Sequence, residues 1–240
     1  MDQSKPVEQA SRSPNVFRGL VRWAIKQTVF VLILAAALFL PAGEAAGARA
    51  WLFLILVASI QVLTAVVLMP RSPELLVERS QLKEGVKGWD IIFAVLIGYS
   101  TVFMALAAGL ESRRSLPPGI DGPTWLAVLA AVGGTLFTLW AMSANPFFSG
   151  IVRIQKERGH RVESAGPYRY VRHPGYVGML VFTLASPLIL GSWWALVVAL
   201  LTVVVTFVRT ALEDRTLQDE LEGYAEYARR VRCRLIPGVW

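Results

Sequence analysis

Apolar residues occur along this chain in long runs that are separated by short polar stretches. A helix needs about 20 such residues to cross a hydrocarbon core of about 30 Å. The pattern therefore predicts an all-α fold, a polytopic membrane helical bundle with about six transmembrane helices. The runs lie near residues 21–40, 51–69, 90–110, 124–144, 175–190 and 193–212.

The last two apolar runs predict a closely packed helical hairpin. The fifth run is short and begins at Pro174, a residue that suits the first turn of a helix. Only a tight turn fits between it and the sixth run, because Gly191 and Ser192 alone separate them. In the fourth run, Gly133 and Gly134 are expected to let two helices approach closely.

The polar segment after the sixth run predicts a further, amphipathic helix. Its apolar residues recur at spacings of three and four, so they form one stripe on a helix. Such a helix is expected to lie on the membrane surface or to cover the end of the bundle, and to end at Pro237. The stripe consists of Leu217, Leu221, Tyr224, Ala228 and Val231.

Composition supports a bilayer as the solvent, because 55% of the residues are hydrophobic and only 17% are charged. The net charge of +7 is a feature of nucleic-acid-binding proteins as well. Here the charges lie in short loops between apolar runs, where lysine and arginine meet lipid headgroups. We therefore expect a membrane lipid or a lipid-modified acceptor as partner, and no nucleic acid.

The basic residues also predict the orientation of the helices. All of the 24 lysine and arginine residues except Arg49, Arg113 and Arg114 fall on one predicted side. That side holds both chain termini and the loops 71–89 and 145–174. By the positive-inside rule, these segments are cytoplasmic.

The first run has a second interpretation, as a signal peptide, because the sequence Ala46-Gly47-Ala48 after it resembles a cleavage site. The charged stretch before the run is long for a signal peptide. Trp23 and Trp51 fit an interfacial aromatic belt around retained helices. We therefore expect a retained helix.

Few residues are available for a metal site. Cys233 is the only cysteine, and His160 and His173 are the only histidines. We therefore expect neither an intramolecular disulfide nor a bound metal.

Candidate chemistry is concentrated in the loop 145–174 and the start of the fifth run. Its last part reads Gly166-Pro-Tyr-Arg-Tyr-Val-Arg-His-Pro-Gly-Tyr-Val-Gly178. The helix that begins at Pro174 offers free N–H groups and a positive dipole end to an anion. Gly175 and Gly178 let a ligand approach the backbone closely.

A second polar cluster, formed by Arg209, Glu213 and Asp214, is predicted to lie at the same depth. Arg209 and Glu213 are one helical turn apart and share a face. Because the last two helices form a hairpin, His173 and Glu213 should face a common pocket. Ionisable groups at this depth are functional candidates, although an arginine-glutamate pair at a helix end and arginines bound to lipid phosphates are the simpler alternatives.

These motifs resemble the isoprenylcysteine carboxyl methyltransferase family, and also the related phospholipid methyltransferases. The resemblance runs from Asn145 to Trp240 and includes the motif around His173, the later Arg-x-x-x-acidic-acidic pattern and the ending Arg-Leu-Ile-Pro. One departure is that the usual pair of glutamates is Glu213-Asp214 here. We accordingly divide the chain into transmembrane helices in 1–144 and a methyltransferase motif region in 145–240, within one membrane domain.

The resemblance implies a methyltransferase that takes its methyl group from S-adenosylmethionine and transfers it to a lipid-like acceptor, most simply a carboxylate. A carboxylate needs no general base, and Arg209 is suited to hold it. By this reading Arg209 and Glu213 are the catalytic candidates. The residues implied in cofactor binding are Tyr168, Arg172, His173, Pro174, Tyr176, Gly178, Glu213 and Asp214.

Three alternatives remain open at this point. The acceptor could be a phospholipid amine, the enzyme could be a nicotinamide-dependent reductase of the membrane sterol type, or the protein could bind lipid without catalysis. The acceptor itself and the oligomeric state are not readable from the sequence.

Overall fold

The computed structural model describes residues 14–79, 85–115 and 119–240, and no residue in these ranges forms a β-strand. Three short 3-10 turns, at Gly43–Ala45, Lys156–Arg158 and Gly166–Arg169, join the longer helices. The α-helices are α1 (Pro14–Ala42), α2 (Ala48–Leu68), α3 (Pro73–Arg79), α4 (Gly88–Gly98), α5 (Ser100–Ser112), α6 (Gly122–Ala144), α7 (Pro174–Leu190), α8 (Trp193–Glu220) and α9 (Tyr224–Arg230).

Five helical segments in the described part of the chain are long and apolar enough to cross a membrane: α1, α2, the α4–α5 pair, α6 and α8. Their outward faces carry large apolar side chains, such as Ile55 and Val62, that are more than half exposed. Such faces suit lipid rather than water. The prediction of an all-α integral membrane bundle is therefore confirmed. The count of six is not, because α7 has only 17 residues.

The predicted hairpin of α7 and α8 is present. Gly191 adopts a left-handed conformation at the end of α7, with φ of 65°, which suits a residue without a side chain. The Ser192 hydroxyl then accepts a hydrogen bond from the N–H of Ala195 and caps α8. A two-residue turn thus places the start of α7 beside the end of α8.

Close helix packing occurs where α6 crosses α7. A Cβ atom added at Gly134 would lie 2.6 Å from the carbonyl oxygen of Gly178, and one added at Gly178 would overlap the carbonyl oxygen of Gly134. The prediction for Gly134 is therefore confirmed. Gly133 points into open space, so its part of the prediction is wrong.

The core of the bundle lies between α1, α2, α5, α6 and the α7–α8 hairpin. Leu34 and Leu38 of α1 are buried there together with Phe53 of α2. The first helix is thus part of the packed core. Lys5, Arg12 and Lys83, which contribute to the predicted orientation, lie outside the described residues.

The segment after α8 differs from the single amphipathic helix expected. Gly223 has φ of 80° and breaks the helix, so α9 is a separate short helix that ends at Arg230 rather than at Pro237. The chain turns back at Gly223 because only glycine adopts this conformation without strain. Leu221 and Tyr224 are consequently buried against Tyr168, and the segment covers the end of the bundle.

Candidate active site

The motif segment before α7 is held by the C-terminal tail. A 3-10 turn over Gly166–Arg169 is followed by a short irregular stretch whose backbone pairs with the tail. The N–H of Arg172 donates to the carbonyl of Cys233, and the N–H of His173 donates to that of Arg234, both at 3.0 Å. The Arg-Leu-Ile-Pro sequence near the end of the chain, which is part of the family pattern, therefore helps to hold the backbone at His173.

Asp214 is the centre of a buried polar cluster. Its side chain is fully buried, and each carboxylate oxygen accepts three hydrogen bonds. Because a carboxylate only accepts, His173 donates through Nε2. The donors are Arg172 Nε at 2.7 Å, His173 Nε2 at 3.2 Å and Tyr224 Oη at 3.1 Å to Oδ1, and Arg172 Nη2, Arg234 Nε and Gln218 Nε2, each at 2.9 Å, to Oδ2.

Arg172 forms hydrogen bonds through all three of its guanidinium nitrogens. Its Nε and Nη2 atoms bind Asp214, while Nη1 donates to the carbonyls of Val231 and Arg232 at 2.9 and 3.0 Å. Burial and the nearby Asp214 raise the pKa of Tyr224, so its hydroxyl remains protonated and donates. Arg172 and Asp214 together join α7, α8 and the tail into one unit.

Glu213 differs from its neighbour Asp214. Its Oε2 atom accepts a 2.6 Å hydrogen bond from the Tyr176 hydroxyl. No hydrogen bond to Oε1 is found from the described residues. Glu213 and His173 both line one cavity at this end of the bundle, so the structure brings together the two residues expected to face a common pocket.

Arg209 is buried beneath the same cavity and is paired with Asp90 of α4. Its Nε and Nη2 atoms lie 2.7 and 3.0 Å from the two oxygens of Asp90, and Nη2 also donates to the carbonyl of Gly150 at 2.8 Å. The guanidinium carbon lies 5.6 Å from the centre of the Tyr176 ring. Nη1 forms no hydrogen bond within the described ranges.

The cavity has a volume of about 340 Å³. Ala94, Ile97 and Gly98 of α4 line an apolar part, which reaches about 6 Å along that helix at 1.5 Å per residue. Pro174, Gly178 and Asp214 lie behind its surface. The predicted residues that line it are Tyr168, Arg172, His173, Tyr176, Arg209 and Glu213.

One wall of the cavity comes from the loop between α6 and α7. Gln155 is fully buried, and its amide donates to the carbonyl of Phe147 at 2.7 Å. His160 Nδ1 accepts from the N–H of Gln155 at 3.3 Å, and the His160 ring lies against Phe147. Burial, with the charges of Arg153 and Arg158, lowers the pKa of His160 to about 4. His160 is therefore neutral at physiological pH.

Sequence reasoning missed three residues of this arrangement: Asp90, Tyr224 as a hydrogen-bond donor, and Arg234. Asp90 did carry a signal, since it is an acidic residue at the edge of an apolar run. Nothing in the sequence indicated that Asp90 pairs with Arg209, which follows 119 residues later.

Part of this chain is similar in sequence to known proteins. Residues 123–222 match the family model of the phospholipid methyltransferases. A probable protein-S-isoprenylcysteine O-methyltransferase of Oryza sativa subsp. indica is 27% identical over 110 residues, which cover 45% of this chain and 58% of the rice protein. The Homo sapiens protein-S-isoprenylcysteine O-methyltransferase is 31% identical over 125 residues, 48% of this chain and 42% of the human protein.

A third relative, the protein-S-isoprenylcysteine O-methyltransferase of Schizosaccharomyces pombe, is 36% identical over a shorter stretch of 52 residues, 22% of each chain. The chain thus spans 58% or less of the length of these three relatives. The comparisons confirm the resemblance to the isoprenylcysteine carboxyl methyltransferase family, and the match to the phospholipid methyltransferase model is limited to residues 123–222.

Proposed function

We propose that this protein is a membrane methyltransferase that transfers a methyl group from S-adenosylmethionine to a carboxylate on a lipid-like acceptor. The observation that carries the proposal is one cavity lined by Glu213 and Arg209 at a polar end and by apolar residues of α4 at the other. Such a cavity suits a polar cofactor and a hydrocarbon-bearing acceptor side by side.

The cavity fits the cofactor in size and chemistry. Its volume of about 340 Å³ lies within the usual range of ligand pockets, about 300–1,000 Å³. Glu213 Oε1 can accept from hydroxyl or amino groups of the cofactor, and Tyr168 and His173 line the same space. When bound, S-adenosylmethionine supplies an electrophilic methyl group on a positively charged sulfur.

The two acidic residues have different tasks in this proposal. Asp214 has all its acceptor sites filled by protein donors, so it organises Arg172 and His173 instead of binding the cofactor. Glu213 keeps an open oxygen and takes the binding role. The shorter aspartate at position 214 therefore leaves the cofactor contact intact.

Methyl transfer to a carboxylate needs orientation more than acid-base chemistry. An ionised carboxylate acceptor would already be the nucleophile for the methyl group that the bound cofactor would supply, so no residue of this chain has to remove a proton from it. Arg209 Nη1 is suited to orient that carboxylate through a charge-assisted hydrogen bond. The covering segment around Tyr224 excludes water from the polar end.

We further propose that this end of the bundle is cytoplasmic. Arg153, Arg161 and Arg172 of the loop line the cavity, while Arg49 and Arg113 lie at the other end of the helices. This distribution agrees with the positive-inside rule. The cofactor would then reach the cavity from the cytoplasm and the acceptor from the bilayer.

The direct test is transfer of a labelled methyl group from S-adenosylmethionine to N-acetyl-S-farnesylcysteine by the purified protein in detergent. We expect a base-labile labelled ester from this acceptor and much less from N-acetylcysteine. Glu213→Gln should lower the transfer about tenfold at limiting S-adenosylmethionine, because the variant binds the cofactor more weakly. Equal methylation of both acceptors would contradict the lipid-like acceptor, and no methylation of any acceptor in a lipid and protein extract would contradict the enzyme itself.

The family model's name favours a second candidate, methylation of a phospholipid amine. That reaction needs the acceptor nitrogen in its neutral form, so a carboxylate such as Glu213 would matter more than Arg209. Labelled phosphatidylethanolamine derivatives in the extract assay identify this activity. A reductase would instead be stabilised against heat by a nicotinamide dinucleotide, and a non-catalytic lipid-binding protein by neither ligand.

A further inference from the structure

We propose that Asp90 is a positioning residue of the active site, which aims Arg209 at the acceptor and holds the loop wall of the cavity. The inference rests on the proposed methyl transfer and extends it to a residue outside the matched segment 123–222. Asp90 acts through Arg209 and through the backbone at Val152.

The pairing geometry decides which part of Arg209 remains available. Asp90 engages the guanidinium along its Nε and Nη2 edge, with both oxygens in use. Nη1 lies on the opposite edge, and its two N–H donors have no hydrogen-bond partner among the described residues. Arg209 lines the cavity. A bidentate contact on one edge therefore presents the other edge to a ligand.

Because both partners are buried, the Asp90–Arg209 pair fixes the orientation of the guanidinium. Asp90 is fully buried and Arg209 is 5% exposed. An unpaired guanidinium at this depth would be costly and would turn toward another acceptor. With Asp90 removed, other acceptors compete for the guanidinium, among them the carbonyl of Gly150, which already accepts from Nη2. Arg209 would then lose its fixed orientation.

Asp90 also ties α4 to the cavity wall. Its Oδ2 atom accepts a 2.6 Å hydrogen bond from the N–H of Val152, and the N–H of Lys87 donates to the carbonyl of Val152 at 3.2 Å. Gly150, Ile151 and Val152 all line the cavity. The Asp90 carboxylate thus holds both the Arg209 side chain and the loop at Val152, which line the same cavity.

The test compares Asp90→Asn with Asp121→Asn, a matched control in which the same change breaks an Asp-Arg pair at the other end of the bundle. Three quantities are measured: KM for N-acetyl-S-farnesylcysteine, Kd for S-adenosylhomocysteine by calorimetry, and the unfolding temperature. For Asp90→Asn we expect KM to rise about tenfold or more while Kd stays within about twofold. Asp121→Asn should leave both unchanged.

The combined variant with Arg209→Lys separates a positioning role from a merely structural one. If Asp90 acts largely through Arg209, the rise in KM of the double variant should be well below the product of the two single-variant rises. An unchanged KM in Asp90→Asn, additive effects in the double variant, or a parallel loss of S-adenosylhomocysteine binding would each overturn the inference.

Asp90→Glu covers the case in which Asp90→Asn does not fold. It keeps the charge and moves the guanidinium by one methylene, so KM should rise about threefold with the Kd for S-adenosylhomocysteine retained. An unchanged KM in this variant would overturn the inference as well. Failure of the wild type to bind S-adenosylhomocysteine would contradict the proposed function instead, so the two failures are distinguishable.

Discussion

Arg49 and Arg209 are buried at opposite ends of the bundle, and the two arginines are used differently. Arg49, at the start of α2, donates from all three guanidinium nitrogens to Gly119 O, Leu188 O and Asp121. Arg209, near the cavity, uses Nε and Nη2 for Asp90 and Gly150 and leaves Nη1 without a described partner. Both side chains are about 5% exposed.

The difference shows how to separate a structural buried charge from a functional one. Arg49 satisfies backbone carbonyls around the start of α6 and the end of α7, and its partner Asp121 is half exposed. Arg209 has a fully buried partner and lies on a cavity wall. Burial alone does not distinguish them, whereas the count of engaged donors and the presence of a cavity do.

The largest expected effect is on stability at the end of the bundle that holds the cavity, from Asp214→Asn. The change leaves Arg172 and Arg234 facing a neutral amide, and breaking a buried ion pair typically costs about 3–5 kcal/mol. Unfolding in detergent, followed by heat or denaturant, should show this loss. Asp219→Asn on the same helix, whose side chain is 66% exposed, is the control and should change stability little. Equal effects would contradict the organising role of Asp214.

The comparison of the two arginines is tested by Arg209→Lys and Arg49→Lys. Lysine cannot both pair with Asp90 through two nitrogens and present a third to the cavity. Arg209→Lys should therefore lower kcat/KM for the prenylcysteine acceptor about a hundredfold, or about 2.7 kcal/mol. Arg49→Lys should lower the unfolding temperature and leave kcat/KM unchanged. A loss of kcat/KM in both variants would contradict the different roles of the two arginines.

A smaller effect is expected where α6 crosses α7. Gly178→Ala places a methyl group against the carbonyl oxygen of Gly134, and overpacking of this kind costs roughly 1–3 kcal/mol. Gly133→Ala, which meets open space, should be neutral or slightly stabilising. Unfolding temperatures of the two variants measure the difference. If Gly178→Ala kept full stability but lost cofactor binding, Gly178 would belong to the site directly.

The helices and the hairpin were predictable because apolar run length and the Gly191-Ser192 turn are local features. The approach of His173 to Glu213 followed from that hairpin. The pairing of Arg209 with Asp90 was not predictable, since contacts between distant helices depend on how the bundle packs. The break at Gly223 was missed because a stripe of apolar residues continues through it, and only the backbone conformation reveals the turn.

The smallest expected effect concerns the pH dependence of the loop wall. The folded-state pKa of His160, about 4, lies below its ordinary value of about 6.5. The unfolded chain therefore binds more protons between these values, and stability falls as the pH is lowered from about 6.5 toward 4. His160→Asn should reduce the dependence of the unfolding temperature on pH in this window. An unchanged pH dependence would contradict the neutral, buried state of His160.

The central claim is that the cavity beside Glu213 binds the methyl donor. Calorimetric titration of the purified wild-type protein with S-adenosylhomocysteine tests it most directly. We predict one site per chain, with affinity about tenfold weaker in Glu213→Gln, because a charge-assisted hydrogen bond is lost. Arg49→Lys should bind as the wild type does. No binding by a folded wild-type protein, or equal affinity in Glu213→Gln, would contradict the account.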